Sequence, residues 1–306
     1  MWKMIPDWYI DRRDFIEESL KRYLQDYFDS KGLLLWEVNH GWIEKFKEWC
    51  FYALEWWKKL RAILALEFFL TLQRKDFKDI NFDDDITKFC LALECIHAFS
   101  LVHDDLPCMD NDVLRRWKPT VWKKFWEYQA LLIGDTLNSL AFEIISEIKN
   151  PVLSIKLSNL LARSSGFHWM VWWQIDDMYF EEYPEKINIS DLMKLHNRKT
   201  GALIKAAVQW WILISEKITH IHKLSLFWEK LWLAFQIKDD LLDVEWSVEE
   251  TWKSIWDEKK WFVYFMWIEK TKSYLNDTIN DCLNIVGILK SENIWFLVWY
   301  VKDRKK

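Results

Sequence analysis

Most of this 306-residue sequence carries apolar residues three and four positions apart, the periodicity of an α-helix with one buried face. In residues 14–28, Leu20 and Leu24 fall on one side, with Glu18 opposite. The same pattern recurs in residues 42–74, 86–105, 126–148, 152–179, 189–214, 222–244 and 261–290. No run alternates apolar and polar residues between turn signals, as a strand would. The sequence therefore predicts an all-α fold.

The sequence has only five prolines, and the long stretches between them carry the helical patterns. The predicted loops are residues 75–85, 106–119, 180–188 and 245–260. No Gly/Ser-rich linker, low-complexity tract or fixed-period repeat divides the chain. We therefore expect one domain spanning residues 1–306, and the 51% hydrophobic content is sufficient for a large core.

Charge and cysteine content narrow the classes of function. The chain has 42 Lys and Arg against 47 Asp and Glu, so it lacks the excess positive charge that attracts nucleic acid. Its five cysteines are odd in number and form no C-x-x-C pair, which indicates neither a disulfide framework nor a zinc site. Charges run through the N-terminal segment, and no later run approaches 18 uncharged apolar residues. We expect a cytoplasmic protein with no membrane span and no nucleic-acid partner.

Two aspartate clusters give the strongest chemical signal. The first, HDDLPCMDND, contains Asp104, Asp105 and Asp110, and the second, QIKDDLLD, contains Asp239 and Asp243. Clustered carboxylate oxygens bind hard cations, and residues four apart share one face of a helix. Both clusters end markedly apolar helical segments, whereas a solvated acidic surface would also carry Lys and Glu. The two clusters could face each other across a helical bundle, although either one alone could be a surface patch.

Further segments accompany these clusters in order between about residues 50 and 270. They are WWKKLRA, LRRWKPTVWKKF, LLIGDTLNSLAFE, WWQIDDM, NRKTGALI and TWKSIWDEKK. Together with the two aspartate motifs, the first in its longer DDxxxxD form, they resemble the trans-prenyltransferases (polyprenyl synthetases), specifically the bacterial farnesyl/geranylgeranyl diphosphate synthases. The resemblance implies a single-domain, isoprenoid-synthase-type helical bundle around a central cavity, and generally a homodimer.

The resemblance also implies a magnesium-dependent prenyltransferase. Three Mg²⁺ ions held by the two motifs would clamp an allylic diphosphate (dimethylallyl or geranyl) and neutralise the leaving diphosphate, so that the C–O bond ionises. The alkene of isopentenyl diphosphate would then attack the cation, and loss of a proton would end the cycle. The implied metal ligands are Asp104, Asp110 and Asp239, with Asp105 and Asp243 as alternates or supporting residues.

Basic residues are implied for each of the two diphosphates, since the guanidinium fork of arginine suits phosphate oxygens. Those for the allylic diphosphate are Arg115, Lys199 and Lys253, aided by Thr200 and Gln236. Those for isopentenyl diphosphate are Lys58, Arg61, His97 and Arg116. Lys199 and Asp239 are the implied catalytic residues. Taken singly, each basic side chain could be ordinary surface charge, and His97 could be a buried core histidine.

Phe99, five residues before Asp104, bears on product length. In this family the growing chain runs beside this helix, and a bulky ring here resembles the short-chain enzymes, which favours a C15 product, farnesyl diphosphate. Core packing is the alternative role for Phe99. Two other functions stay open, a terpene cyclase and a non-catalytic helical partner of an active synthase. A cyclase usually replaces the second aspartate motif and such a partner lacks one or both, whereas both are intact here.

The chain has only 6 glycines but 24 tryptophans, against a usual glycine content of about 7%. The family ordinarily has glycine where this chain has Trp56, Trp57, Trp117, Trp126, Trp169, Trp172, Trp173, Trp232, Trp246, Trp252, Trp256 and Trp267. Overpacking costs about 1–3 kcal/mol per site, so these exchanges together could exceed a domain's stability of about 5–15 kcal/mol. We hypothesise that one codon, read as glycine by the source organism, is translated here as tryptophan. A natural tryptophan-rich core is the alternative.

Overall fold

The computed structural model describes residues 5–32, 40–55, 58–115, 117–167, 170–183, 221–250 and 261–304. Within these ranges the chain forms eleven α-helices, two short 3-10 helices and one pair of two-residue strands, so the predicted all-α fold is confirmed. The helices are α1 (Asp7–Gly32), α2 (His40–Leu54), α3 (Leu60–Gln73), α4 (Asp85–Asp104), α5 (Val121–Lys124), α6 (Glu127–Ser146), α7 (Pro151–Ser165), α8 (Met170–Glu182), α9 (Ile221–Glu250), α10 (Trp261–Val286) and α11 (Glu292–Asp303). The strands β1 (Leu114–Arg115) and β2 (Lys118–Pro119) pair antiparallel.

Two segments predicted as continuous helices are each broken in the structure. Residues 42–74 form α2 and α3, with Lys58 and Lys59 between them, and residues 152–179 form α7 and α8. Apolar periodicity continues on both sides of each break, so the pattern alone does not reveal the turns. Helix α9 also runs into the predicted loop 245–260, and α11 was not predicted. The predicted helix at residues 189–214 lies outside the described residues.

The chain divides into two compact units. One comprises Met1–Leu70 and Lys75–Ser158, and the other comprises Thr71–Arg74 and Asn159–Lys306. The expectation of a single domain stays a prediction.

Helix α4 is the central helix of the first unit. It packs chiefly on α6 and also contacts α1 and α2. Nearly every residue from Ile86 to Ala98 is buried, as in a helix that is apolar around its whole circumference. Among the described residues it is the one helix long and apolar enough to cross a membrane, but 72% of that apolar window is buried inside the fold. This burial is what a core helix requires.

Helix α9 is the corresponding helix of the second unit, where it packs on α10 and α11. Phe227 and Trp228, with Leu231 four and three residues after them, are all at most 2% exposed. Trp232 is also 2% exposed, and its ring stacks on Phe235 with an interplanar angle of 11°. This tryptophan, at a position where we expected glycine, is therefore accommodated by the core.

Two other tryptophans at expected glycine positions have a backbone conformation that favours glycine. Trp267, inside α10, has φ 63° and ψ 154°, a region occupied almost only by glycine. Trp117, in the short connection between β1 and β2, has φ 67°, and two-residue hairpin turns of this kind favour glycine. Both side chains are well exposed, at 62% and 68%, so packing does little to offset the backbone strain. These conformations support the codon hypothesis at positions 117 and 267.

Replacing Trp267 by glycine should raise the free energy of unfolding by about 1 kcal/mol. The strain at such a backbone position is about 1–3 kcal/mol, which exceeds the entropic cost of glycine, about 0.5–1 kcal/mol. Trp117→Gly should act in the same direction, and urea unfolding measures both. The control is Trp295→Gly in the regular helix α11, which should lower stability by about 1 kcal/mol or more. A loss of stability in Trp267→Gly like that of the control would contradict the interpretation.

Mass spectrometry of the protein isolated from its natural source tests the codon hypothesis itself. Peptides that cover positions 117 and 267 should contain glycine. Tryptophan at both positions would end the hypothesis and leave the strained backbone as a property of the natural chain.

Candidate active site

The first aspartate motif begins at the C-terminal end of α4. Asp104 is the last residue of the helix, and the backbone N–H of Asp105 caps it by donating to the Leu101 carbonyl oxygen. Proline cannot continue the helical hydrogen bonding, and the chain turns at Pro107. The backbone N–H of Asp110 then donates to the Asp104 carbonyl oxygen at 2.9 Å. The first and last aspartates of the DDxxxxD motif are thus joined at one end of the buried helix.

Asp105 differs from these two aspartates because it is buried against an arginine. Its side chain is 5% exposed, and its Oδ1 accepts hydrogen bonds from Arg115 Nε at 2.8 Å and Nη2 at 2.5 Å. Burial raises the pKa of Asp105 to about 6, although the bond to Arg115 opposes the rise. Burial, the largest single influence, would lower the pKa of Arg115, but the hydrogen bond to Asp105 and the negative charges of Asp105, Asp112 and Asp104 together outweigh it and raise that pKa. Asp105 therefore holds Arg115 in place beside the motif.

His103, the residue before the motif, packs its imidazole ring against Gly134 of α6, where the missing side chain leaves space for it. A Cβ atom on Gly134 would lie 2.1 Å from His103 Nε2, so only glycine admits the imidazole ring at this point. His103 Nε2 also lies 3.0 Å from the Leu131 carbonyl oxygen. The Phe99 ring meets the imidazole edge-on, with ring centroids 5.0 Å apart. Phe99 is thus placed one helical turn before the aspartates, and its role in product length stays a prediction.

The turn between α2 and α3 carries the first basic motif. Tyr9 donates a hydrogen bond to the Lys58 carbonyl oxygen at 2.6 Å. Arg61 Nη1 lies 3.0 Å from His97 Nε2, and this nitrogen must accept because arginine carries only donors. His97 precedes Asp104 by seven residues, which places the two on one face of α4 about 10 Å apart along the axis. The contact with His97 shows that Arg61 and His97, two predicted ligands of the same diphosphate, lie together. Lys58 lies in the adjoining turn.

The second aspartate motif lies on α9. Asp239 Oδ1 accepts a hydrogen bond from Arg304 Nη2 at 2.5 Å, and the same nitrogen donates to the Phe235 carbonyl oxygen at 2.9 Å. The guanidinium also lies over the Phe235 ring, 3.6 Å from its centroid. Asp240 is buried and accepts a hydrogen bond from the backbone N–H of Phe262, at the start of α10. Asp239 is thus the half-exposed aspartate of this pair.

Several of the predicted site residues lie outside the part of the chain that the structure describes. Arg116, Lys199, Thr200 and Lys253 lie outside the described residues, as does the side chain of Asp243. Gln236 is 6% exposed, three residues before Asp239 on α9. Arg304 was not predicted, because no motif or spacing links residue 304 to residue 239. Glu94 and Lys59 were also missed, because sequence alone does not distinguish their buried charges from those of a solvated helix surface.

The carboxylates of the first motif suit a magnesium ion. Within the described ranges, no three His, Cys, Asp or Glu side chains are grouped as a metal site. Mg²⁺ does not require such a cage, since it keeps several waters and is usually bound by one or two carboxylates together with substrate phosphates. Asp104 is half-buried and Asp110 is exposed, so this pair fits that manner of binding.

Known proteins that are similar in sequence include farnesyl diphosphate synthases. The chain is 38% identical to a farnesyl diphosphate synthase of Micrococcus luteus over 226 residues, which covers 71% of this chain and 77% of the relative. It is 31% identical to the farnesyl diphosphate synthase of Bacillus subtilis (strain 168) over 299 residues, covering 94% and 93%.

Solved structures show the same relationship. The apo structure of an FPP/GFPP synthase from Zymomonas mobilis matches with a TM-score of 0.78 at 27% identity, covering 96% of this chain and 98% of the other. A geranyltransferase from Helicobacter pylori, complexed with magnesium and isoprenyl diphosphate, matches with a TM-score of 0.76 at 27% identity and covers 98% of both chains. A sequence model of the polyprenyl synthetase family matches residues 44–285. Because that match takes in both aspartate motifs and the first basic motif, the chain belongs to the polyprenyl synthetase family.

Proposed function

We propose that this protein is a prenyl diphosphate synthase that condenses isopentenyl diphosphate with dimethylallyl or geranyl diphosphate. The observation that carries the proposal is the first aspartate motif, whose end residues Asp104 and Asp110 are joined by a backbone hydrogen bond within the family match. Relatives named farnesyl diphosphate synthase support farnesyl diphosphate as the product. A homodimer in the cytoplasm belongs to the same proposal.

The proposal gives the two aspartate motifs a metal-binding role. Asp104, Asp110 and Asp239 would hold Mg²⁺, three ions as the family resemblance implies, with Asp243 as an alternate ligand. Bound magnesium would neutralise the leaving diphosphate and so favour ionisation of the allylic C–O bond. The Helicobacter pylori geranyltransferase, complexed with magnesium and isoprenyl diphosphate, supports this role. Asp105, already paired with Arg115, would orient that guanidinium toward the allylic diphosphate.

The two diphosphates would be held by separate sets of basic residues. Arg61 and His97, 3.0 Å apart, would contact isopentenyl diphosphate together with Lys58 and Arg116. For Nε2 of His97 to accept from Arg61, the imidazole would be neutral, with its proton on Nδ1. The allylic diphosphate would be bound by Arg115, Lys199, Thr200, Gln236 and Lys253, with Lys199 and Asp239 as the catalytic residues.

Purified protein with isopentenyl diphosphate, geranyl diphosphate and Mg²⁺ should form a C15 diphosphate, and chelation by EDTA should abolish the reaction. Asp104→Asn should lower kcat by a factor of about 10² or more, because it removes a carboxylate that holds the charge-neutralising metal. Asp83→Asn, an exposed aspartate in the loop before α4, is the control and should leave kcat unchanged.

The assay needs two versions of the chain, one as given and one with glycine at the twelve suspect tryptophan positions. If neither version turns over, the non-catalytic alternative gains support and the proposal fails. Hydrocarbon formed from farnesyl diphosphate alone would indicate a terpene cyclase instead.

Phe99→Ala should shift the products toward chains longer than C15. Removal of the ring that packs against His103 opens space beside α4, one turn before the aspartates. Chromatography of dephosphorylated products measures the chain length, and Ser100→Ala on the same helix is the control. An unchanged product distribution in Phe99→Ala would assign Phe99 to core packing.

Arg304→Gln should lower the Mg²⁺ concentration that half-saturates the protein. In the structure this guanidinium neutralises Asp239, so a metal ion must compete with it for the carboxylate. Calorimetric titration with MgCl₂ in the absence of substrate measures the change. Lys302→Gln removes a nearby charge that lies over Trp299 and serves as the control. Weaker metal binding by Arg304→Gln would show that the arginine supports the ligand rather than competing for it.

A further inference from the structure

The turn between α2 and α3 contains a buried lysine in an unusual conformation. Lys59 has a left-handed backbone, with φ 50°, and its side chain is 0% exposed. Non-glycine residues rarely adopt positive φ, and lysine is almost never fully buried without a partner. Lys59 has both properties, so neighbouring groups must hold it in this conformation. Lys58 and Arg61 are close to it in the same turn.

Lys59 ties the end of α2 to a glutamate of α4. Its Nζ donates to the carbonyl oxygen of Leu54, the last residue of α2, at 2.7 Å. The same Nζ lies 3.8 Å from Glu94 Oε2, and the Glu94 side chain is only 1% exposed. The final carbonyl groups of a helix lack partners within the helix and favour a positive charge. Lys59 supplies that charge, and Glu94 balances it.

Glu94 also contacts the beginning of α3. Its Oε1 accepts a hydrogen bond from the backbone N–H of Ala62 at 3.4 Å. Ala62 is the third residue of α3, where backbone N–H groups have no partner within the helix. One carboxylate therefore acts on both helix ends that border the turn, on α2 through Lys59 and on α3 directly.

The same face of α4 carries the next contact with α3. His97 follows Glu94 by three residues, so the two side chains are neighbours on the helix, and His97 Nε2 lies 3.0 Å from Arg61 Nη1. From the other side of the turn, Tyr9 holds the Lys58 carbonyl oxygen. The backbone of residues 58–62 is thus held by hydrogen bonds at both ends. These contacts fix the Cα positions of Lys58 and Arg61, and so the points from which their side chains extend.

We propose that Glu94 is a positioning residue for isopentenyl diphosphate, acting through Lys59 to orient the turn that carries Lys58 and Arg61. The proposal rests on the proposed function, since it names the support of that function's isopentenyl site. A buried ion pair can often be replaced by apolar residues without loss of stability, so stability alone does not account for this one. The need to orient the Lys58 and Arg61 side chains accounts for the buried pair of Lys59 and Glu94.

Glu94→Gln tests this role, because glutamine keeps the acceptor for Ala62 and the side-chain volume but removes the charge. We expect the KM for isopentenyl diphosphate to rise about tenfold, less than the roughly 10²-fold that a 1 Å misplacement can cost. The KM for geranyl diphosphate and kcat should change by less than about twofold. A merely structural role would lower the active fraction, and therefore kcat, without selecting one substrate.

Glu67→Gln is the matched control. Glu67 lies on α3, the helix whose start Glu94 contacts; its side chain is 3% exposed, and it pairs with Arg12 at 2.9 Å. The same chemical change there should lower the melting temperature without raising the KM for isopentenyl diphosphate. A similar rise in that KM for both variants would overturn the proposal.

A double-mutant cycle tests whether Glu94 acts through Lys59. Lys59→Met should raise the KM by the same factor as Glu94→Gln, and the double variant should show no further rise, because coupled residues are not additive. Lys59→Arg, which keeps the charge, should retain the original KM. Additive effects would contradict action through Lys59. If Glu94→Gln does not fold, the comparison of Lys59→Arg with Lys59→Met decides the question.

Calorimetric titration with isopentenyl diphosphate alone distinguishes an error in the proposed function from an error in the role of Glu94. If the parent chain, in both the given and the glycine-containing versions, neither binds this ligand nor turns over, the proposed function is wrong. If the parent binds it and Glu94→Gln binds it equally well, only the role of Glu94 is wrong.

Discussion

The close packing of α4 is the constraint on which the described part of the first unit depends. A helix buried on nearly all sides cannot rotate or slide without opening voids, because protein interiors are packed about as densely as organic crystals. Residues spaced along one face are therefore fixed relative to one another. Glu94, His97 and Asp104 lie on such a face, so the helix that forms the core also sets the distance between the basic turn and the first aspartate motif.

Charge balance is a second common feature of the two motifs. Within its own unit, each motif has an aspartate paired with an arginine, Asp105 with Arg115 and Asp239 with Arg304. An acidic cluster without such partners would be destabilised by repulsion between like charges. The two pairs differ in exposure, since Asp105 is 5% exposed and Asp239 is 45% exposed. The first is therefore suited to holding a guanidinium in place, and the second is more accessible to a competing cation.

The helices and the aspartate motifs could be read from the sequence because both are local patterns. Apolar spacing placed α4 and α6 to within two residues, and the carboxylates of the first motif are adjacent along the chain. The turn at Lys59 could not be read, because the helical periodicity continues across it and the contacts that hold it come from Glu94, 35 positions later. Arg304 reaches Asp239 across 65 positions, and no short motif encodes such a contact. Long-range ion pairs of this kind depend on the packing of helices rather than on spacing.

The contact between Gly134 and His103 links two positions that are distant in sequence. Because the imidazole occupies the volume that a side chain at position 134 would need, neither position can vary independently of the other. A larger residue on α6 would be compatible with this fold only if a smaller one replaced the histidine on α4. Across related sequences, positions 103 and 134 should therefore covary, with glycine retained at 134 wherever histidine stands at 103.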